Sequence, residues 1–195
     1  MYHKWRSETI MEDLSKLGKG IGDLLINLSS EYPNLLDAIF VLIACAGVLI
    51  CVSGVMDVTR MGKPEYQIKG SSVFWKMLGG SSLVDLMFFT KVWTGTLWAE
   101  SNPLGISAYV VAAESTDDYS QQAMMAAMGI IVIAGYITLA RAYFGISKLG
   151  SLSEESRSEM IGFIVSRIFA GSAMVVVLHL AKAVDKSAGF NWIAS

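Results

Sequence analysis

The sequence is poor in the residues that usually build catalytic and metal sites. Its 195 residues include only two histidines, His3 and His179, and two cysteines. It holds no Ser-His-Asp or Cys-His set, no HExxH motif and no phosphate-binding loop after a strand. Potential metal ligands are isolated, whereas a metal site needs a cluster of them. We therefore expect a protein that is not an enzyme, without catalytic residues, a bound metal or a cofactor.

Cysteine and proline are too few to organise the chain. Cys45 and Cys51 lie six residues apart in one apolar run, where a helix would point them to different faces, so no disulfide is expected between them. Three prolines beside 18 glycines suit packed helices better than a linker. No cleavable signal peptide is evident, because the first apolar run begins near residue 35 and is long enough to span a membrane.

Long stretches without charge define the fold class. Residues 38–56 carry no charge, and about 20 apolar residues cross a bilayer. This run predicts a first membrane helix at 35–58, and similar patterns predict further ones at 73–95, 123–144 and 160–182. Residues 1–34 instead place apolar and charged side chains on opposite faces, which predicts an amphipathic helix. The sequence thus predicts an all-α membrane protein with four transmembrane helices and an N-terminal amphipathic helix.

Basic residues are absent from 92–140, and this gap predicts an orientation. Lysine and arginine concentrate around the first and third connections, so the positive-inside rule places both turns in the cytoplasm and both termini outside. These basic residues act as topology signals, or they contact anionic lipid or a cytoplasmic partner. The sequence leaves the choice open. The set comprises Arg60, Lys63, Lys69, Lys76, Arg141, Lys148, Arg157 and Arg167.

An internal repeat connects the two halves of the chain. Residues 76–91 return in altered form as 167–182, an offset of 91, with a basic residue, a small-residue cluster and a lysine at matched places. We interpret the chain as two tandem helical hairpins, 35–98 and 123–183, joined by an acidic extracytoplasmic loop at 99–122 and followed by a tail at 184–195. The small clusters allow close helix packing, within a subunit or between subunits. They are Gly79, Gly80, Ser81 and Ser82, and Ala170, Gly171, Ser172 and Ala173.

Asp85 lies near the middle of the second predicted membrane helix, and His179 lies towards the end of the fourth. A carboxylate at mid-membrane costs roughly 2.5–3.5 kcal/mol on insertion scales, so Asp85 is expected to face protein or water. It is either an ion or proton site or part of a pore lining, or else a structural acid that is protonated or hydrogen-bonded to a neighbouring helix or subunit. The second copy has Val176 there, so the repeat does not require the acid. We expect His179 to be a helix-contact residue. No proline interrupts these helices, and we expect no break within them.

The residue patterns carry a family resemblance. A membrane hairpin with a short basic turn resembles the pilin-type subunits of type IV secretion and conjugation systems. Residues 54–62 (GVMDVTRMG) and 75–82 (WKMLGGSS) resemble the small multi-span inner-membrane proteins of type IVB systems, the IcmC/DotE group and its TraQ relatives in conjugative plasmids. The resemblance covers roughly residues 35–183, without the N-terminal segment.

The resemblance implies a bacterial inner-membrane subunit of a DNA- or protein-transfer machine. Its expected partners are the lipid bilayer, copies of itself and other secretion-system membrane subunits, with no direct sequence-specific binding of nucleic acid. Such a subunit forms part of a pilin-like fibre or pore. The alternative is a small four-helix transporter or channel built from parallel repeats, with Asp85 as its coupling site.

Overall fold

The computed structural model of the chain describes the backbone of residues 2–63, 68–100, 103, 105–116 and 118–189, and the side chains from residue 16 onward except 113 and 188. This part of the chain is helical and contains no strand. A short 3-10 turn, Leu149–Ser151, follows the sixth helix. The α-helices are α1 Tyr2–Ser29, α2 Tyr32–Met61, α3 Gly70–Val84, α4 Leu86–Trp98, α5 Ile106–Glu114, α6 Tyr119–Lys148, α7 Glu154–Val175 and α8 Val177–Ala188.

Three segments, α2, α6 with its 3-10 turn, and α7, are long and apolar enough to cross a membrane. Their starts carry recognisable signals. Pro33 lies in the first turn of α2, where its missing N–H costs nothing. The Asp118 side chain accepts a hydrogen bond from the Ser120 N–H at 3.0 Å, and Ser153 caps α7 ahead of two glutamates.

The predicted second and fourth membrane helices are not continuous, and this part of the prediction is wrong. The chain at 73–95 divides into α3 and α4 at Asp85, and the chain at 160–182 divides into α7 and α8 at Val176. With 15 and 13 residues, α3 and α4 are each about 20 Å long, which is less than the ~30 Å of a hydrocarbon core. The two breaks are separated by 91 residues, the offset of the sequence repeat.

Neither break contains proline, and local chemistry accounts best for the one at Asp85. Asp85 adopts φ −116° and ψ 56°, and its carboxylate accepts a hydrogen bond from the Phe88 N–H at 3.2 Å, so it acts as an N-cap for α4. Val176 adopts φ −100° and ψ 24° at the centre of three consecutive valines. Branching at Cβ restricts their rotamers and lowers their helix propensity.

Helix α6 occupies the centre of the molecule. In its most apolar stretch 50% of the residues are buried by the rest of the chain, against 11% for α2. The most enclosed side chains, Val132, Leu139 and Ala142, are fully covered. Helix α2 lies at the periphery and leaves most of its apolar surface uncovered.

Contacts along the helices fix their relative directions. Gly47 of α2 lies against Gly80 of α3, and Asp57 near the end of α2 pairs with Lys76, so α2 and α3 are antiparallel. Gly79 of α3 lies against Ser147 of α6, and Ser72 at the start of α3 lies against Gly150 just after α6. Because α3 is antiparallel to both neighbours, α2 and α6 run in the same direction.

The basic turns are shorter than predicted. Arg60 belongs to α2, Arg141 lies within α6, and Arg157 lies within α7. The helices predicted at 35–58 and 160–182 are therefore too short at these ends, since α2 continues to Met61 and α7 begins at Glu154. Lys63 follows Gly62, the residue after α2, and Lys69 is the residue before α3.

The N-terminal helix and the C-terminal segment lie at the ends of the fold. Helix α1 is joined to α6 by the Tyr119 hydroxyl, which donates to the Lys19 carbonyl at 2.7 Å. Leu17 and Leu24 on α1 remain 63% and 62% exposed, so the described part of the chain leaves these apolar side chains uncovered. Helix α8 continues into the predicted tail as far as Ala188, and residues 190–195 lie outside the described part.

Candidate functional site

A pair of glycines forms the crossing of α2 and α3. A Cβ atom added to Gly47 would lie 2.7 Å from the Gly80 carbonyl oxygen, and one added to Gly80 would lie 3.0 Å from the Gly47 carbonyl oxygen and 2.6 Å from Cys51 Sγ. Such distances leave no room for a side chain. The backbones therefore meet directly, as small residues permit in lipid.

The second half of the chain repeats this crossing between α6 and α7. A Cβ atom on Gly135 would lie 2.9 Å from the Gly171 carbonyl oxygen, and one on Gly171 would lie 3.0 Å from the Gly135 carbonyl oxygen. Gly80 and Gly171 occupy matched positions of the repeat, and their partners Gly47 and Gly135 lie on the preceding membrane helix in each half. The repeat thus includes a shared backbone-to-backbone contact.

The predicted small-residue clusters pack mainly inside the chain. Gly79 lies against the Tyr143 carbonyl and Ser147 of α6, so α3 contacts α2 and α6 through adjacent glycines. Ser82 and Ser172 are also buried, Ala170 and Ala173 are half-buried, and Ser81 is exposed. Most of this surface is therefore unavailable to a second subunit.

Asp85 stands at the first break with its side chain exposed. Beside it, a cavity of about 290 Å³ opens between α2 and the α3–α4 junction, lined also by Phe40, Val41 and Ala44. These neighbours are apolar. The carboxylate is thus held at the edge of an apolar groove by its capping hydrogen bond to the Phe88 N–H.

Tyr109 of α5 lies beside the second break. Val176 has no polar side chain, and Tyr109 lines the cavity beside this break together with Leu178, in the first turn of α8. Burial raises the pKa of Tyr109, and its interaction with the Leu178 backbone opposes part of that shift. The half-helix α4 therefore has a capping oxygen from Asp85, and the hydroxyl of Tyr109 is the candidate for the same role at α8.

A second cavity, of about 310 Å³, lies beside the Val176 break. His179 Nδ1 and a Glu100 carboxylate oxygen are 3.3 Å apart there, and Lys182 lines the same space. Nearby, the Trp98 indole N–H donates to the Ser172 hydroxyl at 3.0 Å. His179 is therefore a contact residue between α8 and the end of α4, and this cavity carries charge of both signs.

The basic residues fall into different environments. Lys76 forms a partly buried ion pair with Asp57, and the Arg157 Nε–H donates to the Leu149 carbonyl at 3.1 Å. The Arg167 guanidinium lies 3.6 Å from the centre of the Phe163 ring. Exposed members of the set are Arg60, Lys63, Lys69, Arg141 and Lys148.

Several residues of these sites escaped the sequence analysis. Gly47 and Gly135 lie in uniformly apolar helices, and only a comparison of the first helix of each half would have paired them. Asp57, Glu100 and Tyr109 act through partners far away in the chain, so local patterns gave no signal. In the described part of the chain no group of three or more His, Cys, Asp or Glu side chains is placed to hold a metal.

No protein-family model matches this chain, and neither a curated protein nor a solved structure matches it.

Proposed function

We propose that this chain is an integral membrane protein that crosses the bilayer four times, as two tandem hairpins that run in the same direction. Helices α2, α6 and α7 account for three crossings by length and composition. The fourth is formed by α3 and α4 together. Its support is geometric: α2 and α6 run in the same direction, so the chain must return across the membrane between them, and α3 and α4 are the apolar helices available there.

The proposed role is that of a non-catalytic subunit in a larger membrane assembly. Asp85 carries this proposal. Its exposed carboxylate lies beside an apolar groove at the membrane level of α2, where contact with lipid costs roughly 2.5–3.5 kcal/mol. A polar group on a helix of a second subunit, either a copy of this chain or another protein, removes that cost. The resemblance at residues 54–62 and 75–82 makes a bacterial type IVB-like secretion or conjugation apparatus the proposed assembly, and the inner membrane its location.

The size of the complex extracted in mild detergent tests this role. Val41 lines the Asp85 groove, whereas Leu49, also exposed on α2, does not line it. We expect Val41→Trp to shift the complex towards the monomer in size-exclusion chromatography with light scattering, and Leu49→Trp to leave it intact. A wild-type protein that is monomeric under all mild extraction conditions would contradict the proposal.

A transporter or channel is the second candidate, and the matched breaks favour it. Interrupted helices at equivalent places of two repeats are a feature of transporter binding sites. Here the breaks fall at Asp85 and Val176, and each borders a cavity. In this reading Asp85 is the ion- or proton-coupling site.

Replacement of Asp85 by asparagine separates the two candidates. Asparagine keeps a capping oxygen for the Phe88 N–H but cannot ionise. A transporter loses gradient-driven uptake in proteoliposomes while its fold persists. An assembly subunit shows no uptake in either form, and its Asp85→Asn variant still enters the complex.

A further inference from the structure

We propose that the cavity between the two basic turns is a binding site for a phosphate group, either on an anionic lipid headgroup or as a free anion. This cavity has a volume of about 400 Å³ and lies between the end of α2, the start of α3 and the 3-10 turn after α6. It is distinct from the breaks at Asp85 and Val176. Its lining residues include Asp57, Lys69, Ser72, Lys76 and Ser151.

The charge of the lining favours an anion. Among the described residues of the lining, two lysines face one carboxylate across the cavity. Lys76 is engaged by Asp57, so its charge is partly compensated, while Lys69 is exposed beside the opening. The ion pair also holds the Lys76 ammonium group at the cavity wall, which fixes one of the two cations in place.

The start of α3 adds hydrogen-bond donors to this charge. The first N–H groups of a helix have no acceptor within the helix, and the helix dipole places partial positive charge there. At α3 the preceding residue, Lys69, makes no capping hydrogen bond with its side chain. The Ser72 N–H turns back to the Lys69 carbonyl at 2.9 Å, and Gly70 and Ser71 supply the other N–H groups at the start of this first turn.

Close backbone packing holds the two turns together. Gly150 lies so near Ser72 that an added Cβ would overlap the Ser72 backbone. The Ser151 hydroxyl donates to the Lys148 carbonyl at 2.8 Å, so its oxygen remains an acceptor, and the Ser72 hydroxyl is the side-chain donor available on the α3 side. The cavity is thus built from both halves of the repeat and depends on their contact.

The position of the cavity suits a phosphate at the membrane surface. The uncharged run of α2 ends at Met56, and Asp57 of the cavity wall follows immediately. In the predicted orientation this end is cytoplasmic, where basic pockets between membrane helices bind anionic headgroups. Lipid phosphodiesters and inorganic phosphate share the tetrahedral oxygen array that lysines and helix N–H groups recognise.

The test measures binding to purified, detergent-solubilised full-length protein in two arms. In one arm inorganic phosphate is titrated, and in the other phosphatidylglycerol is added in mixed micelles, with phosphatidylcholine as the zwitterionic reference. Binding is followed by the shift in thermal unfolding temperature and by native mass spectrometry. Saturation in the first arm alone identifies a free-phosphate site, and saturation in the second identifies a headgroup site.

Charge variants decide whether the cavity is the site. K69Q should weaken binding about fivefold, the loss expected for one lysine. The matched control is K63Q, because Lys63 is exposed near the same turn but does not line the cavity. D57N removes the competing carboxylate and should strengthen binding. Equal effects of K69Q and K63Q would overturn the proposal, as would no saturable binding of either probe. If D57N does not fold, the comparison of K69Q with K63Q still decides the question.

Discussion

At the scale of single residues, capping oxygens determine how the broken helices are stabilised. Asp85 supplies the oxygen for α4 from within the break. Val176 has no such oxygen, and we expect the Tyr109 hydroxyl on the neighbouring α5 to take its place at the first turn of α8. The two copies of the repeat therefore share the break but not the residue type that stands at it.

Removal of the Asp85 side chain tests its capping role. We expect Asp85→Ala to lower the free energy of unfolding by about 1 kcal/mol through loss of the cap. Asp85→Asn keeps the acceptor and removes the charge, so it should be at least as stable as the wild type in lipid. Unfolding by SDS titration in bicelles measures both variants, and equal stability of the alanine and asparagine forms would contradict the cap.

Tyr109 offers the corresponding test at the second break. Tyr109→Phe preserves the buried ring and removes the hydroxyl; if that oxygen caps the Leu178 N–H, the variant should cost about 1 kcal/mol of unfolding free energy. Tyr119→Phe is the control, because its hydroxyl donates to the Lys19 carbonyl at an exposed site. In detergent, Tyr109→Phe should have a lower thermal unfolding temperature than Tyr119→Phe. The opposite order would count against Tyr109 as a cap.

At the scale of elements, each pair of membrane helices is held together by one glycine crossing, Gly47–Gly80 between α2 and α3 and Gly135–Gly171 between α6 and α7. Because the close contacts of Gly80 and Gly171 lie within the chain, their loss should affect folding before it affects assembly. The sequence left open whether the small-residue clusters pack within a subunit or between subunits. The structure uses Gly80 and Gly171 for packing within the subunit.

Glycine-to-alanine variants measure this contact. Gly80→Ala and Gly171→Ala force a methyl group against backbone and side-chain atoms and should each cost about 1–3 kcal/mol. Gly162 of α7 has no atom within 4 Å of an added Cβ, so Gly162→Ala should be neutral or stabilising by up to about 1 kcal/mol. If SDS titration showed the three variants to be equally stable, direct backbone packing at the two crossings would be disproved.

The sequence predicted the helical content and the apolar runs of α2 and α6, because a long uncharged apolar stretch is a strong signal for a helix of membrane-spanning length. The breaks were missed because they contain neither proline nor glycine. From the sequence alone, Asp85 looks like a buried charge within a continuous helix, because its capping hydrogen bond is visible only in the structure. Three consecutive valines lower helix propensity only slightly, so they did not predict a break at Val176. The repeat aligned Asp85 with Val176, but it did not predict that the helix breaks at both positions.

At the scale of the whole molecule, the two charged cavities lie at opposite ends of the long helices. One end brings the basic turns together around Lys69 and Lys76, and the opposite end places α5, Glu100 and His179 beside the second break. Helix α6 joins the two ends and contacts both halves. The uncovered faces of α1 and α2 leave room for lipid or neighbouring subunits.

The central claim is that α3 and α4 together return the chain across the membrane, and sidedness of labelling tests it most directly. Single cysteines are introduced by Lys63→Cys, Ser115→Cys and Ser151→Cys, all at exposed positions, in a background with Cys45 and Cys51 replaced by alanine. A membrane-impermeant maleimide is then applied to sealed vesicles of known orientation. We expect positions 63 and 151 to react from one side and position 115 from the other; reaction of 63 and 151 from opposite sides would contradict the four-crossing fold.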